Sequence, residues 1–263
     1  MTDWLELCRA AAGDVENVLA QLPTRAEREP VVGEGLGGDE TTAIDKAAED
    51  AILGRVRAAA GAVLSEEIGR VGGGAFPLLV VDPIDGSLNA KRGIPFFAIS
   101  IAVAEGETMD DVVFGFVRDL GSGEEWTARR GEGAWLNGER LGAERPKDEV
   151  EILSFEATRT SLIARDAPKV AELAYRLRIM GSLALSLCHL AAGRVDAVCS
   201  LKPARSVDIA AAQLLCREVG LSVDLFDVEE PFGAAPLDLE QRSRVVAAGT
   251  VDARTRIARA LSA

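Results

Sequence analysis

The stretch Leu78-Leu79-Val80-Val81-Asp82-Pro83-Ile84-Asp85-Gly86-Ser87 constrains this chain more than any other. Four successive apolar residues read as a buried strand, and two carboxylates end it abruptly. Asp82 and Asp85 are three residues apart, which limits their separation to about 10 Å even in an extended chain. Pro83 fixes one backbone angle and turns the chain, so both carboxylates can face one small volume. Gly86 permits a close backbone approach, and Ser87 to Asn89 can open a helix whose free N–H groups point at an anion such as phosphate. In isolation the same residues also read as an ordinary turn, because Asp-Pro and Asp-Gly pairs are common turn formers.

Other acids decide between these readings. Glu66 and Glu67 end a second short apolar run, Ala62-Val63-Leu64-Ser65, as a neighbouring strand delivering them to the same edge would. Asp45 and Asp208 lie in helical segments whose fellow residues Thr41, Thr42, Ile209 and Ala210 carry no charge. Two close carboxylates resist ionisation unless a cation or a shared proton relieves them. An all-oxygen set without His or Cys favours Mg²⁺ or Mn²⁺ over zinc, and a pair of such ions can clamp the attacking and leaving oxygens of a phosphoryl transfer.

Charge points the same way. With 42 acidic against 29 basic residues the net charge is −13, which repels nucleic acid and excludes it as a partner. It also repels a phosphorylated metabolite, so a phosphate site on this chain needs something cationic in it. The 263 residues, 48% of them hydrophobic, suffice for one large or two closely packed domains. No apolar run reaches the roughly 18 residues of a membrane span, and no basic segment followed by an apolar one opens the chain. A cytoplasmic protein without membrane contact is expected. Cys8, Cys188, Cys199 and Cys216 show no paired spacing and read as buried thiols, neither a disulfide framework nor a zinc site.

Periodicity predicts helices over 2–22 and 41–60, the second capped by Thr41 or Thr42. Strands are expected at 62–65, 78–81, 96–104, 112–117 and 125–128, giving a largely antiparallel sheet. After Lys147 the pattern alternates: strand 152–155, helix 167–176, strand 177–180, helix 182–192, strand 195–199, then helices 206–219 and 251–262. That alternation predicts an α/β second half, with the junction in the polar stretch Glu144 to Glu149. The regions are 1–148, carrying most of the metal ligands, and 149–263, completing the site between them.

The ordered motifs Thr42-Ala43-Ile44-Asp45 with Ala48-Glu49, Ser65-Glu66-Glu67, Asp82 to Ser87, Gly131 to Gly138, Gly181-Ser182 and Ser206 to Ala211 resemble the inositol monophosphatase superfamily. Gly93-Ile94-Pro95-Phe96-Phe97 is similar to the archaeal-type inositol monophosphatase and fructose-1,6-bisphosphatase branch in particular. The resemblance covers nearly the whole chain and implies an α+β fold, a layered αβαβα sandwich. It implies that Glu67, Asp82 and the Ile84 carbonyl hold one metal, that Asp82, Asp85 and Asp208 hold a second, and that a third, weaker ion lies near Glu67, with Asp45 holding its water shell. Gly86, Ser87, Gly181 and Ser182 would contact substrate, Asp45 and Ser87 would orient or deprotonate the attacking water, and Glu66 is a supporting acid. A homodimer is implied as well.

The chain departs from the family pattern at Ser87, where threonine is commoner, and at Ala212, where glycine is expected. Leu201 stands where inositol-specific members offer an acid. Arg159, Lys202 and Arg205 read either as solvated charges or as contacts to a second phosphate. His189, the only histidine, lies on an apolar helix without a nucleophile elbow and reads as a packed structural residue. Gly72-Gly73-Gly74 lacks the Lys-Ser/Thr of a phosphate loop and reads as a surface turn. The expected activity is hydrolysis of inositol 1-phosphate or fructose 1,6-bisphosphate by metal-activated water. The alternatives are a phosphatase of another small metabolite, such as 3'-phosphoadenosine 5'-phosphate or histidinol phosphate, and a silent metal or sugar-phosphate binder acting through protein contacts.

Overall fold

In the computed structural model, which describes residues 2–36, 38, 40–142, 147–156 and 159–262, the chain begins with helices α1 (Trp4–Gln21) and α2 (Arg25–Arg28). A hairpin of β1 (Val31–Glu34) and β2 (Glu40–Thr42) leads into α3 (Ala43–Val56). There follow β3 (Ala62–Ser65), β4 (Gly69–Gly72), β5 (Leu78–Asp85), α4 (Ser87–Arg92), β6 (Ala98–Ala104), β7 (Val112–Asp119), β8 (Glu125–Arg129), β9 (Gly133–Leu136) and β10 (Glu139–Arg140). The remainder is β11 (Val150–Glu156), α5 (Thr160–Asp166), β12 (Ala174–Arg178), α6 (Leu183–Ala191), β13 (Ala197–Ser200), α7 (Ser206–Glu218), β14 (Ser222–Leu225), β15 (Val245–Ala248) and α8 (Val251–Ser262).

Strand alternation sorts side chains between layers. Along β6, Ile99, Ile101 and Val103 enter a core with α1 and α3, whereas Ala98, Ala102 and Ala104 face the α6 and α7 layer. The small residues on that side let α7 lie close to the sheet. A Cβ at Gly115 would come within 2.6 Å of the Ala211 carbonyl, so glycine is required there. Ala212 is fully buried in this layer, whose small side chains accommodate its methyl.

The first sheet has eight strands in the order β10-β9-β8-β7-β6-β5-β3-β4, antiparallel except for the parallel β3/β5 pair. The second has five in the order β12-β11-β13-β15-β14, parallel at β11/β12 and β11/β13. Val198, Val223 and Val245 of the second sheet join the α6/α7 core, while its other face packs Leu153, Phe155 and Cys199 on α8. The layers run α, β, α, β, α, the sandwich expected from the sequence.

Several elements differ from expectation. The helix expected over 167–176 lies earlier, at Thr160–Asp166, followed by a 3-10 turn at Ala167–Val170. Pro168 near the start of that turn cannot continue the helical ladder. The chain then forms β12 at Ala174–Arg178 in place of a strand over 177–180, because parallel pairing with β11 overrides local propensity. The hairpin β1/β2, the short β4, β9 and β10, and the strands β14 and β15 were not anticipated. Of the expected junction, residues 144–146 lie outside the described residues.

Candidate active site

Strand β5 does not stop at Val81 but runs through both acids, with an irregularity between Asp82, paired with Ser100, and Asp85, paired with Ala98. In a regular strand, residues three apart point to opposite faces. The one extra residue resets the alternation and turns both carboxylates to the α6/α7 side. There Asp85 Oδ2 accepts from Ser182 Oγ and from Ala184 N at the start of α6, both at 2.6 Å. Asp82 Oδ1 accepts from Ile84 N at 3.0 Å, which shapes the turn locally.

Glu66 and Glu67 come from the turn between β3 and β4, and Asp208 from the first turn of α7. Carboxylate oxygens of Glu66, Asp82 and Asp208 lie within 4.8 Å of one another. Glu66, read from sequence as a supporting acid, is therefore in the tight cluster, while Glu67 accepts from the Thr41 hydroxyl. Asp45 stands in the first turn of α3; its Oδ2 accepts from Thr42 N at 3.1 Å and Thr42 Oγ at 2.5 Å. Its Oδ1 is buried without a protein partner. Ser87 Oγ donates to the Ile84 carbonyl at 3.0 Å, and Gly86 adopts φ +93° against the Gly181 carbonyl, where any side chain is strained.

A cleft of about 1210 Å³ is lined by Asp45, Glu67, Asp82, Ile84, Asp85, Gly86, Ser87, Gly181, Arg205 and Asp208, and Ser182 joins it through Asp85. All the sequence-derived site residues thus meet in one place. Leu201 also lines the cleft, without any carboxylate of its own.

Burial dominates the electrostatics. It pushes the Asp82 carboxyl well above its ordinary value, helped by Glu66, Asp85 and Asp208. Burial raises Glu66 to about 8 against the pull of Arg205, and Asp85 to about 7 against its bond from Ser182. Glu67 is raised too, again by burial and against its bond from Thr41. The buried carboxylates, their all-oxygen chemistry and the orphaned Asp45 Oδ1 fit a divalent cation with bound water.

Arg205 does not take the place expected of a distal phosphate contact. Its guanidinium is nearly buried and bonds Glu66 Oε1 at 2.5 Å and Asp208 Oδ1 at 3.2 Å, because it is a permanent cation beside acids that burial penalises. Lys202 and Arg159 line the cleft, as does Lys91, which sequence reading passed over. The side chains of Arg159 and Lys91 make no hydrogen bond or ion pair among the described residues, unlike Arg165 and Arg244, whose charges are matched by Asp166 and Asp227. Glu156 was missed as well. It accepts from Ser186 Oγ at 2.7 Å and Gly181 N at 2.8 Å, and its position at the end of the expected strand 152–155 was the available signal.

His189 is outside the cleft, stacked on Phe96 with Trp126 edge-on, both centroids at 5.6 Å. The four cysteines are free and buried. No helix among the described residues is long and apolar enough to cross a membrane.

A five-layered sandwich with a carboxylate cleft defines the class, a phosphoric monoester hydrolase. The chain matches the model of the inositol monophosphatase family over residues 4–263 and belongs to that family. It is 35% identical over 219 residues to a fructose-1,6-bisphosphatase/inositol-1-monophosphatase of Thermococcus kodakarensis, covering 83% of this chain and 82% of that one. It is 37% identical over 192 residues to the Nus factor SuhB of Pasteurella multocida, covering 69% and 70%. A crystal structure of an inositol monophosphatase-fructose 1,6 bisphosphatase superposes with a TM-score of 0.87 at 28% identity, covering 99% of this chain and 100% of that one.

Proposed function

We propose that this chain is a Mg²⁺-dependent phosphomonoesterase of small phosphorylated sugars or cyclitols, accepting both inositol 1-phosphate and fructose 1,6-bisphosphate. The observation that carries the reading is the convergence of Glu66, Asp82 and Asp208 beside Asp85 and Glu67, with an unsatisfied Asp45 oxygen in the same cleft. Region 1–148 contributes Asp45, Glu66, Glu67, Asp82 and Asp85, and region 149–263 contributes Asp208, Gly181 and Ser182.

Glu67, Asp82, the Ile84 carbonyl, Asp85 and Asp208 would hold the ions, Glu66 would join them from its place beside Asp82 and Asp208, and Mn²⁺ would serve as a substitute. Bound divalent ions supply positive charge to the phosphate and make water more acidic. Thr42 occupies Oδ2 of Asp45 and leaves Oδ1 to take the proton of the attacking water. The Ser87 hydroxyl, anchored on the Ile84 carbonyl, orients that water, and the backbone at Gly86 and Ser87 faces the phosphate. Water oxygen bonds to phosphorus, the bond from phosphorus to the sugar oxygen breaks, and the departing oxygen takes a proton from solvent water while Asp45 returns its own proton to solvent.

Lys91 and Arg159 support a substrate with a second phosphate, since each brings to the cleft a charge that no described residue neutralises. Leu201 in place of an acid supports the same breadth. The second reading, a silent binder acting through protein contacts, is favoured by the likeness to SuhB, whose name refers to a Nus factor. Phosphate release from a panel of small phosphomonoesters that includes inositol 1-phosphate and fructose 1,6-bisphosphate separates the two: turnover of both supports the proposal, and none from any member supports the silent reading. The proposal includes a cytoplasmic homodimer, and sedimentation at the mass of one chain would remove the dimer.

A further inference from the structure

One motif residue has no part in the chemistry above. Glu49 lies one helical turn beyond Asp45 on α3 and is fully buried. Its Oε1 accepts from Ser65 Oγ at 2.5 Å and from Ile68 N at 3.1 Å. Ser65 and Ile68 are the two residues that bracket Glu66 and Glu67. The turn they enclose joins β3 to β4 and closes on Gly69, which has φ +69° and pairs with Ser65. The other Glu49 oxygen, Oε2, is buried without a partner. A carboxyl group so placed is costly for the fold, and Glu67 beside it is pushed up partly by its charge.

We infer that Glu49 is a positioning residue that sets the metal affinity of the site by gripping both ends of the Glu66-Glu67 turn. One oxygen ties the strand end to the far side of the turn, so both acids project from a fixed backbone into the cleft. The grip needs an acceptor at Oε1, not a negative charge. Outer groups that hold metal ligands in place typically contribute about 10–100-fold to metal affinity. The inference rests on the reading that these acids hold a divalent ion.

The test is Mn²⁺ binding to the full chain, followed by the electron spin resonance of free Mn²⁺, with the melting temperature of each metal-free variant measured alongside. Glu49→Leu is expected to weaken binding about 10–100-fold. Glu49→Gln, which keeps the acceptor, is expected to bind within about threefold of the parent, since hydrogen-bonding capacity at Oε1 is preserved. Ser65→Ala removes one of the two donors and is expected to cost about fivefold, the effect of one net hydrogen bond; it keeps the test open if Glu49→Leu does not fold. A lower melting temperature with unchanged Mn²⁺ affinity in Ser65→Ala and in Glu49→Leu would make Glu49 a fold residue only and overturn the inference. Equal weakening by Glu49→Gln and Glu49→Leu would show that charge acts and the grip does not. A parent chain that binds no Mn²⁺ would instead sink the metal reading itself.

Discussion

Raising the pH of the metal-free protein should destabilise it across the range where most proteins are insensitive. In the folded chain burial pushes Asp85 up to about 7 and Glu66 up to about 8, from ordinary values of 3.8 and 4.5. Between the unfolded and folded values the native state binds more protons than the unfolded state, so stability falls as pH rises. At about 1.4 kcal/mol per tenfold change in proton affinity, the displacement of Asp85 alone is worth on the order of 4 kcal/mol. For a chain of this size, that is roughly 8–16 °C in melting temperature. His189 runs the other way, its pKa lowered by burial, but it is a single half-buried group. Thermal melts in chelator from pH 5 to pH 8 should show a fall of about 10 °C. Saturating Mg²⁺ should flatten the profile, raising the melting temperature more at pH 8 than at pH 5, because the ion replaces the bound protons. Asp85→Asn should shallow the slope in chelator. A metal-free melting temperature that is flat or rising over this range would refute the reasoning.

Asp82→Asn should nearly abolish turnover while leaving the metal-free fold at least as stable, since it removes an ionisable group whose charged form burial and its acidic neighbours disfavour; circular dichroism melts and phosphate release check both halves. Ser87→Ala should lower kcat with little change in KM, because the hydroxyl acts on the attacking water; a rise in KM alone would reduce Ser87 to positioning phosphate. Arg159→Ala should impair fructose 1,6-bisphosphate more than inositol 1-phosphate by about 1–3 kcal/mol in kcat/KM, the range of a charge-assisted bond, and equal losses would remove Arg159 from substrate choice. For Arg205→Ala, which leaves Glu66 and Asp208 without their cation, the buried pairing predicts a less stable metal-free fold, tighter divalent-ion binding and equal effects on both substrates, measured in the same assays.

What the sequence disclosed was local. The carboxylates at Asp82 and Asp85 were legible because proline, glycine and a short spacing confine them, although the bulge that turns both to one face is visible only in the pairing with β6. Asp208 and Asp45 were legible through the motifs around them. Which of Glu66 and Glu67 lies closer to Asp82 was not, since adjacent residues in a turn diverge and only the fold decides it. The pairing of Arg205 was not legible for a similar reason: three residues before Asp208 on the sequence, it folds back to bond Glu66 and Asp208. Lys91, Arg159 and Glu49 acquire meaning from what they touch or fail to touch, and the segment 167–176 was read as helix because the strand β11 that captures it lies some twenty residues earlier.

In the proposed reaction the carboxylate cleft hydrolyses phosphate monoesters with the help of a divalent ion that Glu66, Glu67, Asp82, Asp85 and Asp208 would hold. The most direct measurement is phosphate release from fructose 1,6-bisphosphate and inositol 1-phosphate during a Mg²⁺ titration of exhaustively chelated protein. No turnover in chelator is expected, with recovery on both substrates at a half-saturation on the order of millimolar, as for an oxygen-ligand site that leaves waters on the ion. Undiminished turnover in chelator, or no phosphate released at saturating Mg²⁺, would contradict it.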